Sequence, residues 1–225
     1  MEQTFVRTNG SQANQETAGR NRELFEMANI TVINIMSASG AGKTSLLEAT
    51  IPGLRGWYEV AVIEGDLQTE LDAERIRALG VPSHQITTGK VSHLDALMIS
   101  SALTEFPVQG VDLLFIENVG NLICPAFFDL GEKVRLVVCS AVDGPDAPQK
   151  YPMMFRRADA IVVNKVDLAT SGGADIAELR RNLREANATA PIFGVSCRTG
   201  VGLGAWLGWM RNAVARRDVL MATNA

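Results

Sequence analysis

The strongest constraint on the fold is a glycine-rich loop between an apolar run and a helical pattern. Residues 30–36 form the apolar run ITVINIM, and residues 37–44 follow with the sequence SASGAGKT. Such a loop lets successive backbone N–H groups curl around an anion, and the helix after it adds the positive end of its dipole. The segment matches the phosphate-loop pattern G-x-x-x-x-G-K-[ST], with Ser37 in the place of the first glycine. A plain surface turn is the alternative, but the flanking strand and helix favour a phosphate site.

Two side chains at the end of this loop carry the chemistry that the prediction assigns to it. Lys43 is expected to reach the β- and γ-phosphates of a nucleotide, which makes it a predicted catalytic residue, and the Thr44 hydroxyl is expected to ligate Mg²⁺. We predict that the whole loop binds the nucleotide, through Ser39, Gly40, Ala41, Gly42, Lys43, Thr44 and Ser45.

Short apolar runs alternate with segments of helical spacing along the rest of the chain. Their β-branched content favours strands, which we place at residues 30–36, 60–63, 113–116, 134–139, 160–163 and 192–195. This alternation predicts an α/β fold of the P-loop NTPase class, with a mostly parallel sheet, helices on both faces and a single domain. We assign that domain to residues 21–220. Residues 1–20 are polar and lack an apolar period, so we expect a flexible N-terminal arm there.

Composition argues against several classes of partner and site. The 225 residues carry 21 Lys and Arg against 25 Asp and Glu, a formal net charge of −4, which argues against nucleic acid bound through bulk charge. Apolar runs of about six or seven residues are too short to cross a membrane. With 3 Cys and 2 His, a zinc finger, a His-rich tract or a disulfide framework is not expected. We predict a cytoplasmic protein with reduced thiols and no membrane partner.

A second motif indicates which base is bound. Asn164-Lys165-Val166-Asp167 follows the apolar run 160–163, late in the chain. At the end of a strand, Asp167 can accept hydrogen bonds from guanine N1–H and the N2 amino group, while Lys165 lays its stem along the ring and Asn164 braces the loop. Adenine offers no matching pair of donors, so a carboxylate here selects against it. An incidental polar turn is the alternative.

A third segment supports the guanine assignment. Residues 196–200, with the sequence SCRTG, follow the last apolar run. We expect a backbone N–H of Ser196 or Cys197 to contact guanine O6. The predicted cofactors are therefore GTP or GDP together with Mg²⁺.

Two acidic side chains follow strands on the side where the phosphates should lie. Asp66 comes shortly after the run 60–63, and Glu117 comes directly after the run 113–116. Mg²⁺ prefers oxygen ligands and keeps several waters, so one or two such carboxylates suffice. We predict that Glu117 holds Mg²⁺ through a water. We also predict that Asp66 takes part in metal binding and opens a segment, 66–70, that orders around the γ-phosphate and positions water. Solvated loop acids are the alternative.

These motifs resemble those of the HypB family, the GTPases of hydrogenase nickel insertion. The resemblance covers about residues 20 to 215 and rests, besides the phosphate loop, on VIEGDLQTELDAERI (62–76), TGKVSHLDA (88–96), LLFIENVGNLICPAFFDLGE (113–132), KYPMMFRRAD (150–159) and VVNKVDL (162–168). It implies a slow GTPase that forms a homodimer when nucleotide is bound and that works with metalloenzyme maturation proteins. It also implies that Lys150 reaches the nucleotide of the partner subunit.

The resemblance further implies a nickel or zinc site at the dimer interface, where this sequence departs from the family. Carried across residue by residue, His93 and Cys124 remain, but Ser92 stands where the family has a cysteine. A hydroxyl is a far poorer ligand for nickel or zinc than a thiolate. Two ligands per subunit would still make a four-ligand site across a two-fold axis. Alternatively, Ser92 caps the start of a helix and the segment has no metal role.

Two functions follow from this reading. The first is a GTP-hydrolysing metallochaperone that assists nickel insertion during hydrogenase maturation, in which the state of the γ-phosphate is transmitted from Glu117 to the Cys124 thiol. The alternative is a GTP-dependent accessory protein of metalloenzyme assembly that does not itself bind nickel, which Ser92 favours. A small-molecule kinase on the same loop is a third class. The Asn164–Asp167 motif and the absence of an Arg-rich lid argue against it.

Overall fold

A computed structural model describes residues 9–68, 71–172 and 175–222 and places helices on both faces of one parallel sheet. Within these residues the strands are Thr31–Ser37 (β1), Val60–Asp66 (β2), Ser83–Thr87 (β3), Leu113–Glu117 (β4), Val134–Ser140 (β5), Ala160–Asn164 (β6) and Ile192–Gly194 (β7). The helices are Asn9–Met27 (α1), Lys43–Leu54 (α2), Leu71–Arg77 (α3), Ala96–Glu105 (α4), Ala147–Lys150 (α5), Pro152–Arg156 (α6), Val166–Gly172 (α7), Ile176–Ala186 (α8) and Leu203–Ala222 (α9), and a 3₁₀ helix covers Cys124–Phe127.

The strand order places β1 inside the sheet and brings the predicted site residues to one edge. The order is β3-β2-β4-β1-β5-β6-β7, and all neighbouring strands are parallel. Because parallel strands share the direction of their carboxyl ends, β1, β2, β4 and β6 end at the same edge, with Ser37, Asp66, Glu117 and Asn164 as their last residues. The predicted fold class is confirmed.

Alternation along β1 supplies both layers of the core. Ile33 and Ile35 belong to the cluster that includes α2 and α9, whereas Val32 packs in the cluster with α1 and α4 on the opposite face. Trp206 of α9 is buried, and its Nε1 donates to Thr50 Oγ1 of α2 at 2.9 Å. Helices therefore cover both faces of the sheet, which is why its central strands are mostly apolar.

The N-terminal region differs from the predicted flexible arm. Helix α1 begins at Asn9, so residues 9–20 are helical, while residues 1–8 lie outside the described residues. Asn14 anchors this part of the helix, because its Nδ2 donates to Asp129 O and its Oδ1 accepts from Ala96 N, both at 2.9 Å. Contacts with such distant segments leave no trace in a local sequence pattern. The assignment of a domain to residues 21–220 stays a prediction.

Some elements have no strong pattern in the sequence. Strand β3 lies at the edge of the sheet and is only partly buried, so it lacks the apolar run of the inner strands. The short helices α5, α6 and α7 follow β5 and β6 in segments that we left unassigned. Among the helices of the described residues, none combines the length and the apolar character that a membrane span requires.

Candidate functional site

The phosphate loop joins β1 to α2 and turns through two glycines with left-handed backbone conformation. Gly40 has a φ of 76° and Gly42 a φ of 96°. A Cβ at Gly42 would collide with Asn164 Nδ2, so glycine is required here both for its conformation and for the close approach. The loop therefore presses against the end of β6, where the predicted base-binding motif begins.

Ser37 stands in the place of the first glycine of the phosphate-loop pattern and contacts the lysine of the loop. It is the last residue of β1 and fully buried, and its Oγ accepts a hydrogen bond from Lys43 Nζ at 3.2 Å. Lys43 Nζ also lies 3.8 Å from Glu117 Oε1. The hydroxyl at position 37 thus helps to hold the Lys43 ammonium at the base of the loop.

Asn164 connects the phosphate loop to both segments predicted to bind the base. Its Nδ2 donates to Ala41 O at 3.1 Å, and its Oδ1 accepts from Lys165 N at 2.7 Å and from Cys197 N at 3.3 Å. The side chain is buried. One amide group therefore fixes three backbone segments relative to one another.

A pocket of about 490 Å³ lies beside the loop and is lined by residues of the predicted base-binding segments. Lys165, with a φ of 61°, reaches across to the phosphate loop, where its Nζ donates to Gly40 O at 2.7 Å. Asp167, Cys197 and Arg198 line the pocket together with Ser45 of α2. The structure thus brings the two base-binding segments and the phosphate loop around one cavity.

The Asp167 carboxylate in this pocket is held by neighbours from the 196–200 segment. Its Oδ2 accepts from Arg198 Nε at 3.0 Å and from Arg198 Nη2 at 2.8 Å. Hydrogen bonding from the Ser196 side chain and from Arg198 lowers the pKa of Asp167. The group is therefore an ionised acceptor at neutral pH, which is the form that pairs with guanine donors. Sequence analysis gave Arg198 no role, because a lone exposed arginine carries no signal in the chain.

The backbone amides expected to contact guanine O6 are engaged within the protein. Ser196 N donates to Val201 O at 2.9 Å, and Cys197 N donates to Asn164 Oδ1. A contact with O6 from either amide therefore requires exchange of that bond. Burial raises the pKa of the Cys197 thiol to about 11, so this side chain is a neutral wall of the pocket.

A second cleft, of about 320 Å³, lies over the loop and collects the residues predicted to bind phosphate and Mg²⁺. Its walls include Ser39, Lys43, Thr44, Ser45, Asp66 and Glu117. Thr44 Oγ1 donates to Glu117 Oε1 at 2.9 Å, and Asp66 Oδ1 accepts from Gln68 N at 2.9 Å. Of the segment 66–70, residues 69 and 70 lie outside the described residues. Three separate elements therefore contribute Thr44, Asp66 and Glu117 to one cleft.

A second buried glutamate, to which sequence analysis assigned no role, lies beside Glu117. Glu64 of β2 pairs with Glu117 of β4 in the parallel register, and both side chains are buried. Burial and the Glu117 charge raise the pKa of Glu64 to about 10, while burial raises the pKa of Glu117 to about 7 against the opposing effect of Lys43. Glu64 therefore keeps a proton at neutral pH. Its position two residues before Asp66, on the same face of β2, was the available signal.

The two glutamates hydrogen-bond to each other, but one buried oxygen of each has no further partner. Outside this pair, Glu64 Oε1 and Glu117 Oε2 have no hydrogen-bond partner within the described part of the chain. Burial of such an oxygen without compensation is unfavourable, and a hydrated divalent cation or its waters would satisfy it. The Thr44 hydroxyl and the Glu117 carboxyl group are oxygen donors of the kind that Mg²⁺ prefers, whereas the protonated Glu64 is not a suitable ligand.

Helix α3 adds two charged side chains to the cleft that sequence analysis also missed. Asp72 and Arg75 line the cleft and pair with each other, with Arg75 Nη1 at 2.9 Å from Asp72 Oδ1. Their spacing of three residues predicts an ordinary ion pair on a helix surface. It gives no indication that the two side chains lie near the phosphate loop.

The segment after β4 touches the phosphate loop and leads to the second candidate region. A Cβ at Gly120 would lie 2.8 Å from Ser39 Cα, so the two loops meet backbone to backbone. Asn118, next to Glu117, is buried, and its Oδ1 accepts from Leu94 N at 3.0 Å. One side chain therefore ties the end of β4 to the residue that follows His93.

The predicted metal ligands lie on neighbouring segments but with an incomplete set of donors. Ser92 Oγ donates to Cys124 Sγ at 3.4 Å, and the His93 ring stacks on Phe128 with centroids 3.8 Å apart. Burial lowers the pKa of His93, and its Nδ1 is buried with no hydrogen-bond partner among the described residues. The same residues contain no group of three or more His, Cys, Asp and Glu that could hold a metal ion.

The proposed helix-capping role of Ser92 is wrong. Helix α4 is capped by Asp95, whose carboxylate accepts from Met98 N at 2.8 Å. Ser92 lies three residues earlier and contacts the Cys124 thiol instead. Cys124 begins the 3₁₀ helix.

Lys150 lies apart from both clefts. It ends α5, its Nζ forms an ion pair with Asp146 Oδ2 at 2.6 Å, and its side chain is 61% exposed. In the described part of a single chain it lines neither the base pocket nor the phosphate cleft. The predicted contact of Lys150 with the nucleotide of a partner subunit stays a prediction.

The parallel sheet, the phosphate loop after its inner strand β1 and the pocket beside it define a P-loop nucleotide-binding protein. Residues 31–194 match the CobW/HypB/UreG nucleotide-binding domain. The chain is 47% identical to the hydrogenase maturation factor HypB of Azotobacter vinelandii, over 88% of this chain and 65% of that protein. It is 46% identical to HypB of Escherichia coli (strain K12), over 88% of this chain and 68% of that protein. The chain belongs to the HypB family of hydrogenase maturation factors.

Solved structures agree with this assignment. HypB of Archaeoglobus fulgidus is 41% identical and superimposes with a TM-score of 0.84, covering 90% of this chain and 99% of that one. HypB of Helicobacter pylori, solved in complex with nickel, is 35% identical with a TM-score of 0.84, over 91% and 96% of the two chains. The resemblance inferred from the motifs is confirmed. The chain spans slightly less than two thirds of the length of the Azotobacter relative.

Proposed function

We propose that this chain is a GTP-hydrolysing metallochaperone that assists nickel insertion during hydrogenase maturation. The binding and hydrolysis of GTP are supported mainly by the arrangement around Asn164. This residue joins the phosphate loop to the two segments that would bind guanine. The role in hydrogenase maturation is supported by membership in a family whose relatives are hydrogenase maturation factors, one of them solved with nickel.

Hydrolysis of GTP to GDP and phosphate would depend on positioning and charge. Lys43, held by Ser37 and close to Glu117, would contact the β- and γ-phosphates. Thr44 and Glu117, with Asp66 nearby in the cleft, would hold Mg²⁺, which supplies neutralisation of charge on the phosphate oxygens. Asp66 would orient the attacking water. No strong base is expected at this site, so basal turnover is slow.

Guanine would be selected by the Asp167 carboxylate. Its lowered pKa keeps it ionised, so that it accepts from guanine N1–H and the N2 amino group. The Lys165 stem, which runs from β6 to Gly40 across the loop, would cover one side of the base. Adenine would leave the carboxylate without a donor partner, and a polar site of this kind rejects such an analogue strongly.

The nucleotide would be coupled to the metal region through Asn118. This side chain follows Glu117 and accepts from Leu94 N, directly after His93. A shift of Glu117 upon γ-phosphate binding would therefore move both the His93 segment and the chain that leads to Cys124. Coupling requires that nucleotide state changes metal affinity, so equal Ni²⁺ affinity in the GDP and GTP forms would contradict it.

Two copies of the chain would form the working unit. His93 and Cys124 supply two donors per subunit, and four donors from two subunits would complete a tetrahedral or planar site. The exposed Lys150 would then reach the nucleotide of the partner subunit. Maturation proteins of the same metalloenzyme would be the further partners, in the cytoplasm.

One experiment tests these parts together. Phosphate release from GTP and from ATP is measured with and without Mg²⁺. Ni²⁺ and Zn²⁺ binding is then measured with GDP and with a non-hydrolysable GTP analogue, while the molecular mass is followed. We expect Mg²⁺-dependent release from GTP only, a dimer with the analogue and metal binding that depends on the nucleotide. Equal turnover of ATP would contradict the base assignment.

A second candidate is favoured by Ser92. The Ser92 hydroxyl lies against the Cys124 thiol at 3.4 Å, at the place where the family resemblance implies a second thiolate. A chain with this substitution would serve as a GTP-dependent accessory protein of metalloenzyme assembly without binding nickel itself. Absence of Ni²⁺ and Zn²⁺ binding in every nucleotide state, with GTP hydrolysis retained, would support this candidate over the first.

A further inference from the structure

Arg75 of α3 lies at the wall of the phosphate cleft without a role in the function proposed above. Its Nη2 is 3.2 Å from the hydroxyl of Ser45, the residue after Thr44. It lines the same cleft as Lys43 and Glu117. A guanidinium at this distance from the first turn of α2 is within reach of phosphate oxygens held by the loop.

The present partners of Arg75 are carboxylates. Its Nε and Nη2 donate to the two oxygens of Glu48 at 3.0 and 2.6 Å, and its Nη1 donates to Asp72 Oδ1 at 2.9 Å. The Arg75 side chain is 41% exposed, so solvent screens these ion pairs and they stabilise the fold little. The forked geometry with Glu48 is the geometry that an arginine also adopts with phosphate.

We propose that Arg75 is a phosphate-binding residue of the nucleotide site, which exchanges a carboxylate partner for a nucleotide phosphate when GTP or GDP binds. This inference rests on the proposed nucleotide-binding function. Glu48 and Asp72 balance the charge of Arg75 and hold it beside Ser45 before nucleotide arrives.

The positions of the cations in the cleft explain what Arg75 adds there. Lys43 is buried at the base of the loop, near the partly ionised Glu117 and the hydroxyl of Ser37. Lys165 also lines the cleft, but its Nζ donates to Gly40 O at 2.7 Å. Arg75 contributes a planar donor group on the α3 side of the cleft, where arginine recognises phosphate through two parallel hydrogen bonds.

A purely structural role is the competing explanation, since the contacts with Glu48 and Ser45 also join α3 to α2. The two roles predict opposite results for Glu48→Gln. If Arg75 only joins the helices, removal of the Glu48 charge weakens nucleotide binding as removal of Arg75 does. If Arg75 binds phosphate, Glu48→Gln releases it from a competitor, so affinity for GDP and GTP stays equal or increases.

The test measures GDP and GTP affinity with Mg²⁺ at several salt concentrations for wild type, Arg75→Ala, Arg75→Lys and Glu48→Gln. Arg55→Ala is the matched control, because Arg55 donates to Leu79 O at 2.6 Å and so joins the end of α2 to the segment after α3 without lining the cleft. Thermal unfolding is recorded for each variant. The double variant Glu48→Gln/Arg75→Ala shows whether the effect of Glu48 passes through Arg75.

We expect Arg75→Ala to weaken GDP and GTP binding about tenfold to 100-fold and to reduce its salt dependence, with partial recovery in Arg75→Lys. Arg55→Ala should bind as wild type does. The inference is overturned if Arg75→Ala binds GDP and GTP within about twofold of wild type, or if Glu48→Gln weakens binding to the same extent. If Arg75→Ala does not fold, the nucleotide affinity of Glu48→Gln distinguishes the two roles: unchanged or increased affinity supports phosphate binding, and decreased affinity contradicts it. A wild type that binds neither nucleotide overturns the proposed function itself.

Discussion

The nucleotide cleft and the His93–Cys124 region are linked through Asn118, yet they differ in how many side-chain hydrogen bonds join their segments. In the cleft, Asn164 makes three hydrogen bonds, and Lys43 contacts both Ser37 and Glu117. In the other region, His93 Nδ1 has no hydrogen-bond partner within the described residues. The phosphate loop is therefore preorganised by hydrogen bonds to its neighbours, whereas the His93 ring is held by stacking on Phe128.

The difference teaches which parts of a site tolerate sequence change. Phosphate is bound mainly by backbone N–H groups and charge, so the loop accepts Ser37 in place of glycine, with Lys43 donating to its hydroxyl. A transition metal requires particular donor atoms, so a hydroxyl at Ser92 in place of a thiolate removes most of the affinity of that position. Nucleotide binding follows from family membership, while metal binding must be measured.

The largest expected effect comes from Lys43→Ala in the preorganised region. Loss of the buried ammonium should reduce kcat/KM for GTP hydrolysis about 100-fold to 1,000-fold, because this group would stabilise charge on the transferred phosphoryl group. Phosphate release gives the rates, and thermal unfolding shows whether the variant keeps its fold. Activity within tenfold of wild type in a folded variant would contradict the role of Lys43.

Asp167→Asn should change the preferred base. The amide can no longer accept from both guanine donors, but its N–H₂ group can donate to the additional carbonyl of xanthine, so affinity should shift from GTP to XTP by about 100-fold. Competition binding with GTP and XTP measures the shift, with ATP as the negative control. An unchanged preference for GTP would mean that another group selects the base.

Ser92→Cys tests whether the metal region lacks only one donor atom. A thiol beside Cys124 should raise Ni²⁺ and Zn²⁺ affinity about tenfold or more, since thiolate is the better ligand for both. Ser92→Ala is the matched control, because it removes the hydroxyl without adding a ligand. Equal metal affinity in the two variants would show that the geometry, and not the donor type, prevents binding.

Asn21→Ala should give the smallest effect and tests how α1 supports the metal region. The buried Asn21 Nδ2 donates to Ala96 O and Leu130 O, and these carbonyls belong to the segments that follow His93 and Cys124. Loss of both hydrogen bonds should lower the free energy of unfolding by about 1–3 kcal/mol, as measured in urea. Gln12→Ala, which removes a hydrogen bond from an exposed side chain to Glu16, should change stability by less than about 0.5 kcal/mol.

Much of the fold could be predicted because parallel sheets leave a strong local signal. Six of the strands in the described residues coincide with apolar runs, since each is covered by helices on both faces. The short helices α5, α6 and α7 were not predicted, because segments of four to seven residues are too short for a regular helical pattern. The helical residues 9–20 were missed because Asn14 finds its partners in Ala96 and Asp129, far along the chain.

The site residues also divide into those with a local sequence pattern and those that depend on tertiary contacts. The phosphate loop, the Asn164–Asp167 motif and Glu117 stand in the sequence as short patterns at strand ends, and the family resemblance follows from them. Glu64, Arg75 and Arg198 carry no such pattern. Their surroundings depend on how β2 pairs with β4, how α3 packs on α2 and how the 196–200 segment folds against α7.

The sequence alone determined the fold class, the phosphate loop and the family, because these depend on residue types at fixed local spacing. Only the tertiary structure decided that Glu64 keeps its proton beside Glu117, that Arg75 faces the phosphate cleft and that Ser92 contacts Cys124 instead of capping α4. Burial, charge proximity and donor geometry arise between residues that are distant in the chain. They become fixed only when the strands and helices pack.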